Sequence, residues 1–153
     1  MTDKFDTELN TVLVDTFKSI LKVEETSLKN KGLKNLSISE MHMLELVGKN
    51  KDEGQTISQI AEGLKITLPS VTIAINKLEA KGYVQKVKNS LDARKVFIVL
   101  TRLGKKIDSV HRYFHEQMIR SIGKNLTKAE KEIFLKGLKG INNFFKEKSV
   151  ENK

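Results

Sequence analysis

The residues around the single proline of the chain combine hydroxyl groups, an amide, an isoleucine and a lysine, all expected to face outward. They are Pro69, Ser70, Thr72, Ile73, Asn76 and Lys77. An asparagine amide can pair with adenine, threonine and isoleucine can touch thymine methyl groups, and lysine can reach guanine or phosphate. On one face of a helix this set is suited to the major groove of DNA. The alternative, an ordinary solvated helix face, usually carries more Glu and Lys and no isoleucine.

Positive charge is concentrated around the same stretch. Between Thr67 and Lys106 there are nine Lys and Arg residues against two acids, a net charge of +7, whereas the other 113 residues have a net charge of only +2. A lysine-rich surface without a specific partner would spread its excess evenly, so this concentration predicts a face that binds a polyanion. Phosphate contacts would supply affinity through counterion release, without sequence selectivity.

A second basic group follows in a turn-rich segment and comprises Lys88, Asp92, Arg94 and Lys95. Asp92 and Arg94 are two residues apart, so they would lie on the same side of a strand. A carboxylate beside an arginine commonly fixes the direction of the guanidinium group, and a narrow minor groove attracts such an arginine. The alternative is a surface ion pair of little energetic value.

The three histidines of the chain are candidate metal ligands. His111 and His115 are four residues apart on a predicted helix, so their rings share a face, and Glu24 and His42 are interior candidates on two other helices. Helix-capping or hydrogen-bonded core histidines are the commoner reason for this spacing. We therefore expect no cofactor, with zinc as the alternative.

The composition excludes several classes of protein. Because the 153 residues include no cysteine, disulfide frameworks, thiolate zinc sites and a catalytic Cys are ruled out. There is no glycine-rich phosphate loop, Ser-His-Asp set or carboxylate pair, so an enzyme is not expected. The longest apolar run, Val96–Leu100, is far below the roughly 20 residues of a membrane span, and the amino terminus lacks a signal-peptide pattern. We expect a soluble, cytoplasmic protein that does not bind membranes.

Hydrophobic periodicity predicts the elements that position these groups. Helical spacing extends from Phe5 to about Leu28, and a second helix covers 38–47 with Ser37 or Ser39 as its cap. Capping-box patterns at Thr56 and Thr127 begin two more helices. Two further helices are expected, from around 68–70 to Gly82 and from about 103 to 124, and between them the period changes from 3.6 to 2, as in a β-hairpin.

The expected fold is mainly α, a winged helix-turn-helix with a β-hairpin wing, and residues 1–153 are expected to form a single domain. The DNA-binding lobe covers about 37–102, and helices at about 1–36 and 103–153 flank it. The first and last helices carry apolar faces that so small a lobe covers only in part, so they predict a homodimer. Such a dimer is expected to bind pseudo-palindromic double-stranded DNA with half-sites about one helical turn apart.

The segments TLPSVTIAINKLEAKGYVQKV and DARKVFIVLT resemble the MarR family of dimeric winged-helix transcription regulators. The resemblance covers nearly the whole chain, and LEAKGYV and DAR are its most specific parts. Where the family usually has a glycine in the helix-turn-helix turn, this chain has Lys65. Through ISEMH, the Asn-x-Leu-Glu-x-Lys-Gly-Tyr pattern and H-x-x-F-H, the chain also resembles the FabT-type repressors of bacterial fatty-acid synthesis within the family.

The resemblance implies repression of fatty-acid synthesis genes, with long-chain acyl-acyl carrier protein as corepressor. Apolar residues expected near the junction of helices 1, 2 and 5 form a candidate effector pocket, namely Phe17, Leu21, Met43, Phe114 and Met118. Methylene groups of an acyl chain could be buried there, although filling the core is the usual role of Met and Phe. Glu24, His42, His111 and His115 also resemble the zinc site of the zinc-responsive MarR branch. The alternatives are therefore a zinc-responsive regulator or a MarR-type repressor that another small ligand releases from DNA.

Overall fold

The computed structural model describes residues 3–30, 35–50, 53–88 and 95–151. Its described elements are six helices and one antiparallel hairpin, which confirms the predicted mainly α fold with a wing. In chain order they are α1 (Lys4–Asn30), α2 (Ile38–Gly48), α3 (Ile57–Leu64), α4 (Leu68–Ala80), β1 (Val84–Lys88), β2 (Val96–Leu100), α5 (Arg102–Gly123) and α6 (Lys128–Glu151). Helices α3 and α4 form the helix-turn-helix.

Packing divides the chain into two compact units, Met1–His111 and Arg112–Lys153. The first unit contains the described core, and this unit is larger than the lobe predicted at about 37–102 because it includes α1 and the start of α5. The buried apolar side chains of the core are Leu36, Met41, Met43, Leu44, Val47, Ile60, Ala61, Val71, Ile75, Leu78, Tyr83, Val84, Ile98, Leu100 and Ile107. That the whole chain acts as one domain stays a prediction.

Local capping sets the helix starts. Ser37 Oγ accepts from the amide of Glu40 at 3.2 Å, and Glu40 Oε2 accepts from the amide of Ser37 at 2.9 Å. The same reciprocal pair forms between Thr56 and Gln59 at the start of α3, and Thr127 begins α6 in this way. The predicted capping boxes are therefore confirmed, and each satisfies backbone donors that a helix start leaves open.

The turn between α3 and α4 places Lys65 in the left-handed region, at φ 55° and ψ 41°. A side chain in this region costs about 1 kcal/mol, which explains why glycine is the usual residue of such a turn. The turn is closed by a hydrogen bond from the amide of Ile66 to the carbonyl of Ala61 at 3.1 Å. The departure at Lys65 therefore leaves the helix-turn-helix geometry intact.

Helix α4 ends as its sequence predicts. Gly82 has φ +76°, and the amide of Tyr83 donates to the carbonyl of Leu78 at 2.9 Å. The hairpin then pairs Val84 with Leu100 at its base and Lys88 with Val96 towards its tip. Only the base packs on the core, and Val87, which lies nearer the tip, is exposed.

Gln55, which lies just before the N-cap of α3, adds a third partner to the wing sheet. Gln55 forms an isolated antiparallel bridge with Ile98, with backbone hydrogen bonds of 3.0 and 2.7 Å in the two directions. Its buried side chain also donates to the carbonyl of Leu46 in α2. Gln55 thus adds one paired residue to the edge of the sheet.

A partly buried ion pair connects the amino-terminal end of α2 to the end of α4. Lys81 Nζ donates to the two carboxylate oxygens of Glu40 at 2.7 and 2.8 Å and to the carbonyl of Asn35. Partial burial raises the pKa of Glu40, but the hydrogen bonds from Lys81 and from the Ser37 amide together outweigh it and leave the pKa below its ordinary value. The carboxylate is therefore stabilised in its charged form.

We expect Lys81→Met to lower the free energy of unfolding by about 1 kcal/mol at pH 7. Because the pKa of Glu40 is lowered on folding, its contribution is complete above the pKa of the unfolded chain and is lost as the pH falls through the folded pKa. Denaturant unfolding of both proteins from pH 7 to pH 3 checks this. The difference between them should shrink on acidification, and a constant difference would contradict the role of Glu40.

Candidate nucleic-acid interface

Helix α4 separates its side chains into two groups. The apolar residues Val71, Ile75 and Leu78 are fully buried against the core. The predicted base-reading set is exposed along the rest of the helix and consists of Pro69, Ser70, Thr72, Ile73, Asn76 and Lys77. The spacing of three and four residues thus holds one side of the helix in the lobe and leaves the other open to a ligand.

The exposed hydroxyl groups at the start of α4 are partly engaged within the helix. Thr72 Oγ1 donates to the carbonyl of Leu68 at 2.9 Å, and the Ser70 hydroxyl lies 2.8 Å from that of Thr67. Ile73 follows with 58% of its surface exposed. Since the Thr72 hydroxyl proton is used inside the helix, the side chain offers its methyl group and an acceptor lone pair to a ligand.

The amide of Asn76 has a partner that the sequence did not indicate. Lys86 Nζ, from β1, donates to Asn76 Oδ1 at 2.7 Å and to Glu79 Oε2 at 2.7 Å. The hydrogen bond from Lys86 lowers the pKa of Glu79. Only one feature of the sequence indicates this contact between Lys86, Asn76 and Glu79. Glu79 lies three residues after Asn76, so the two side chains are expected on the same side of α4.

The wing residues are only partly described. Lys88 ends β1 and Lys95 immediately precedes β2, and both are exposed. Asp92 and Arg94 lie outside the described residues, so their predicted pairing stays a prediction. The two described lysines add positive charge to the hairpin on the tip side of its paired strands.

A buried carboxylate, that of Glu24, lies near two histidines. Glu24 Oε1 is 3.6 Å from His111 Nε2, and Glu24 Oε2 is 3.8 Å from His42 Nε2. The side chains of Glu24 and His111 are each 3% exposed, whereas that of His42 is 42% exposed. His115 lies one helical turn beyond His111 on α5, in the second unit.

Glu45, which was not among the predicted site residues, also belongs to this group. Its Oε2 is 3.4 Å from Nδ1 of His111. The available signal was its position three residues after His42, on the same side of α2. His111 thus has a carboxylate oxygen near each ring nitrogen, an arrangement that suits an ion pair or an oriented metal ligand.

The candidate effector-pocket residues differ in their surroundings. Met43 is 3% exposed and belongs to the core, whereas Phe17 is 63% exposed on α1. Leu21 is half-buried, and so are Phe114 and Met118, which lie in the second unit. A role of these residues in effector binding stays a prediction.

Known proteins share this architecture and part of the sequence. The sequence profile of the MarR family matches residues 34–95, from the segment before α2 to the start of β2. The crystal structure of Streptococcus pneumoniae FabT in complex with DNA superimposes with a TM-score of 0.83 and 33% identity, over 92% of this chain and 97% of that chain. The chain belongs to the MarR family. Its helix-turn-helix and hairpin are therefore the family's winged helix.

Two curated relatives match a shorter part of the chain. The uncharacterized HTH-type transcriptional regulator YhjH of Bacillus subtilis is 33% identical over 82 residues, 54% of this chain and 46% of that protein. Transcriptional regulator AdcR of Streptococcus pneumoniae is 32% identical over 84 residues, 55% of this chain and 56% of that protein. The chain spans about half the length of the curated relatives it matches.

The MarR family and these relatives are transcriptional regulators and not enzymes, in agreement with the prediction that the chain is not an enzyme. In the part of the chain that the structure describes, none of the helices combines the length and the apolar character needed to cross a membrane.

Proposed function

We propose that this MarR-family chain is a transcriptional repressor that binds double-stranded DNA sequence-specifically through α4. The observation that carries the proposal is the division of α4 into three fully buried apolar residues and an exposed row with hydroxyl, amide, methyl and ammonium groups. This chemistry matches the donors, acceptors and thymine methyl groups of a major groove. The similarity to FabT, a structure in complex with DNA, supports it.

We also propose that the repressor is a homodimer, because α6 exposes two neighbouring apolar rows. Exposed Phe134, Leu138 and Phe145 form one row with half-buried Ile141, and exposed Ile133 and Phe144 belong to the next. Ile133 is 72% exposed and Phe145 is 58% exposed. Exposed rows of this length are typical of association surfaces.

Two glycines in the second row support the same assembly. Gly137 and Gly140 lie inside α6, and a Cβ added to either would meet no atom of the described chain within 4 Å. Each glycine costs a helix about 1 kcal/mol relative to alanine. Close approach of a second chain accounts for them, and α1, with exposed Phe5, Leu9 and Val12, adds a further apolar surface. A two-fold dimer fits a pseudo-palindromic operator.

Asn76→Ala tests base reading. We expect it to weaken binding to a duplex selected by the wild-type protein from a randomised pool by about 1 to 3 kcal/mol, with little change on random DNA. Lys88→Ala is the comparison, and we expect it to weaken binding to both duplexes because Lys88 lies on the wing and a lysine contact with phosphate carries no sequence information. Fluorescence anisotropy on the two duplexes measures both effects. Equal losses on both duplexes for Asn76→Ala would show that Asn76 does not read bases.

For the regulatory signal, we propose that long-chain acyl-acyl carrier protein acts as corepressor in the control of fatty-acid synthesis genes. The similarity to FabT over almost the whole chain supports this proposal. Half-buried Leu21, Phe114 and Met118 offer flexible apolar surface, and each buried methylene group contributes about 0.8 kcal/mol. The net charge of +9 would attract an acidic carrier protein.

The second candidate signal is zinc, and the cluster of Glu24, His42 and His111 favours it. Two ligands of one tetrahedral zinc ion lie about 3.4 Å apart, since each bond is about 2.0 to 2.1 Å. Glu24 Oε1 is 3.6 Å from His111 Nε2, close to this value, and the second oxygen, Oε2, is 3.8 Å from His42 Nε2. A carboxylate oxygen and an imidazole nitrogen at this spacing support a zinc site, with His42 and His115 as the remaining predicted ligands. Bound zinc would hold α1, α2 and α5 in one arrangement.

One titration separates the two signals. We expect acyl carrier protein with a long acyl chain to tighten binding to the selected duplex, because a corepressor must bind the DNA-competent arrangement better than the other. Unacylated carrier protein, Zn²⁺ and chelator are measured alongside it. A response to Zn²⁺ that disappears in His111→Ala would favour the zinc sensor and reject the acyl proposal.

A further inference from the structure

The side chain of Lys86 connects the wing to the base-reading side of α4. Its ammonium group lies 2.7 Å from Asn76 Oδ1. A lysine ammonium only donates hydrogen bonds, so the atom of Asn76 that faces it must be the carbonyl oxygen. The amide NH₂ group of Asn76 is therefore turned away from Lys86. The contact determines which end of the amide a ligand meets.

The direction of an amide matters for base recognition. In the major groove adenine and guanine offer the N7 acceptor and thymine offers O4, whereas cytosine offers an N4 donor. An amide that presents NH₂ pairs with an acceptor and leaves the cytosine donor without a partner. A freely rotating amide can also turn its oxygen towards cytosine, and it can therefore form a hydrogen bond with any of the four bases.

We propose that Lys86 is a specificity-determining positioning residue, which presents the NH₂ group of Asn76 to the DNA and so excludes cytosine from the position that Asn76 reads. The inference rests on the proposed function, because it requires α4 to read bases. It adds a residue of the wing strand to the residues that set the operator sequence.

Glu79 keeps Lys86 in this role. Its carboxylate accepts from the same ammonium group at 2.7 Å and neutralises its charge. An ammonium group paired in this way gains less from moving to a phosphate than an unpaired one does.

Lys88 is a matched comparison for Lys86. It lies two residues later on β1, and because side chains alternate along a strand, the two lysines lie on the same face.

The test replaces the pair without changing the net charge, in the double variant Lys86→Met with Glu79→Met. Duplexes are selected from a randomised double-stranded pool by the wild type, the double variant, Lys88→Met and Asn76→Ala. Asn76→Ala identifies the position that Asn76 reads. We expect the double variant to admit cytosine at that position about tenfold more often than the wild type, with the other positions unchanged.

Lys88→Met and one further variant, Lys86→Arg, keep the test independent of folding. Lys88→Met should retain the wild-type preferences while binding all DNA more weakly, with a salt slope smaller by about 0.9. Lys86→Arg retains a donor that cannot accept, so it should restore the exclusion of cytosine. Thermal unfolding of each variant shows that the lobe is intact.

The outcomes distinguish the inference from the proposed function. If the wild type and the double variant exclude cytosine equally, or if the wild type prefers cytosine at this position, the role of Lys86 is wrong while sequence-specific binding stands. If the wild type selects no sequence at all, the proposed function itself is wrong.

Discussion

Gly104→Ala is expected to lower the free energy of unfolding by about 3 kcal/mol or more. Gly104 lies in the first turn of α5, where the helix crosses the chain at Tyr83 with no side chain between them. A Cβ added to Gly104 would lie 2.1 Å from the carbonyl oxygen of Tyr83. That oxygen also accepts from the amide of Thr101 at 3.0 Å, so it cannot move away without losing this hydrogen bond.

Gly123→Ala is the matched control on the same helix. A Cβ there would meet its nearest neighbour, Lys131 Cε, at 3.6 Å, which is ordinary van der Waals contact. Alanine favours a helix over glycine by up to about 1 kcal/mol, so this variant should be as stable as the wild type or slightly more so. Denaturant unfolding at one fixed protein concentration measures both variants. A Gly104→Ala protein as stable as the wild type would contradict the close approach of α5 to Tyr83.

The double variant Leu138→Glu with Phe145→Glu is expected to dissociate the proposed dimer. Burial of one such side chain contributes about 1.5 to 3 kcal/mol, and a two-fold interface contains each residue twice. A loss of at least about 3 kcal/mol corresponds to dimerisation at least about a hundredfold weaker. Binding to the selected duplex should fall as well, because each lobe alone engages one half-site. Sedimentation from micromolar concentration downwards measures the assembly.

Lys139→Glu is the control for this experiment, because Lys139 lies on α6 away from both apolar rows. It introduces a carboxylate on the same helix and should leave the dimer intact. Circular dichroism verifies that the helices of the double variant persist. If the double variant sediments as a dimer at the wild-type concentration, α6 is not the dimer surface.

The sequence predicts well those features that depend on neighbouring residues. The capping boxes at Thr56 and Thr127, the end of α4 at Gly82 and the exposure of the outward-facing residues of α4 are all confirmed. Each depends on contacts within a few residues, or on a helical period that one segment carries by itself.

Features formed by distant segments were not predicted. The contact of Lys86 with Asn76 depends on how the hairpin packs beside α4, and that of Glu45 with His111 depends on how α2 meets α5. Lys86 is one of the nine basic residues counted between Thr67 and Lys106, but its charge alone does not indicate that it binds Asn76 and Glu79. The bridge between Gln55 and Ile98 was missed for the same reason, because one paired residue leaves no alternating pattern.

That bridge has a consequence for how the wing moves. Ile98, at the middle of β2, is paired with Lys86 on one side and with Gln55 on the other, and Gln55 is held in turn by a carbonyl of α2. The base of the hairpin therefore opens only together with the lobe, so its amide protons should exchange with solvent as slowly as those of the core helices. The paired residues nearer the tip lack this third partner. Their amide protons should therefore exchange faster than those of the base, through local fraying of the strand ends. The base of the hairpin thus keeps Lys86 beside α4.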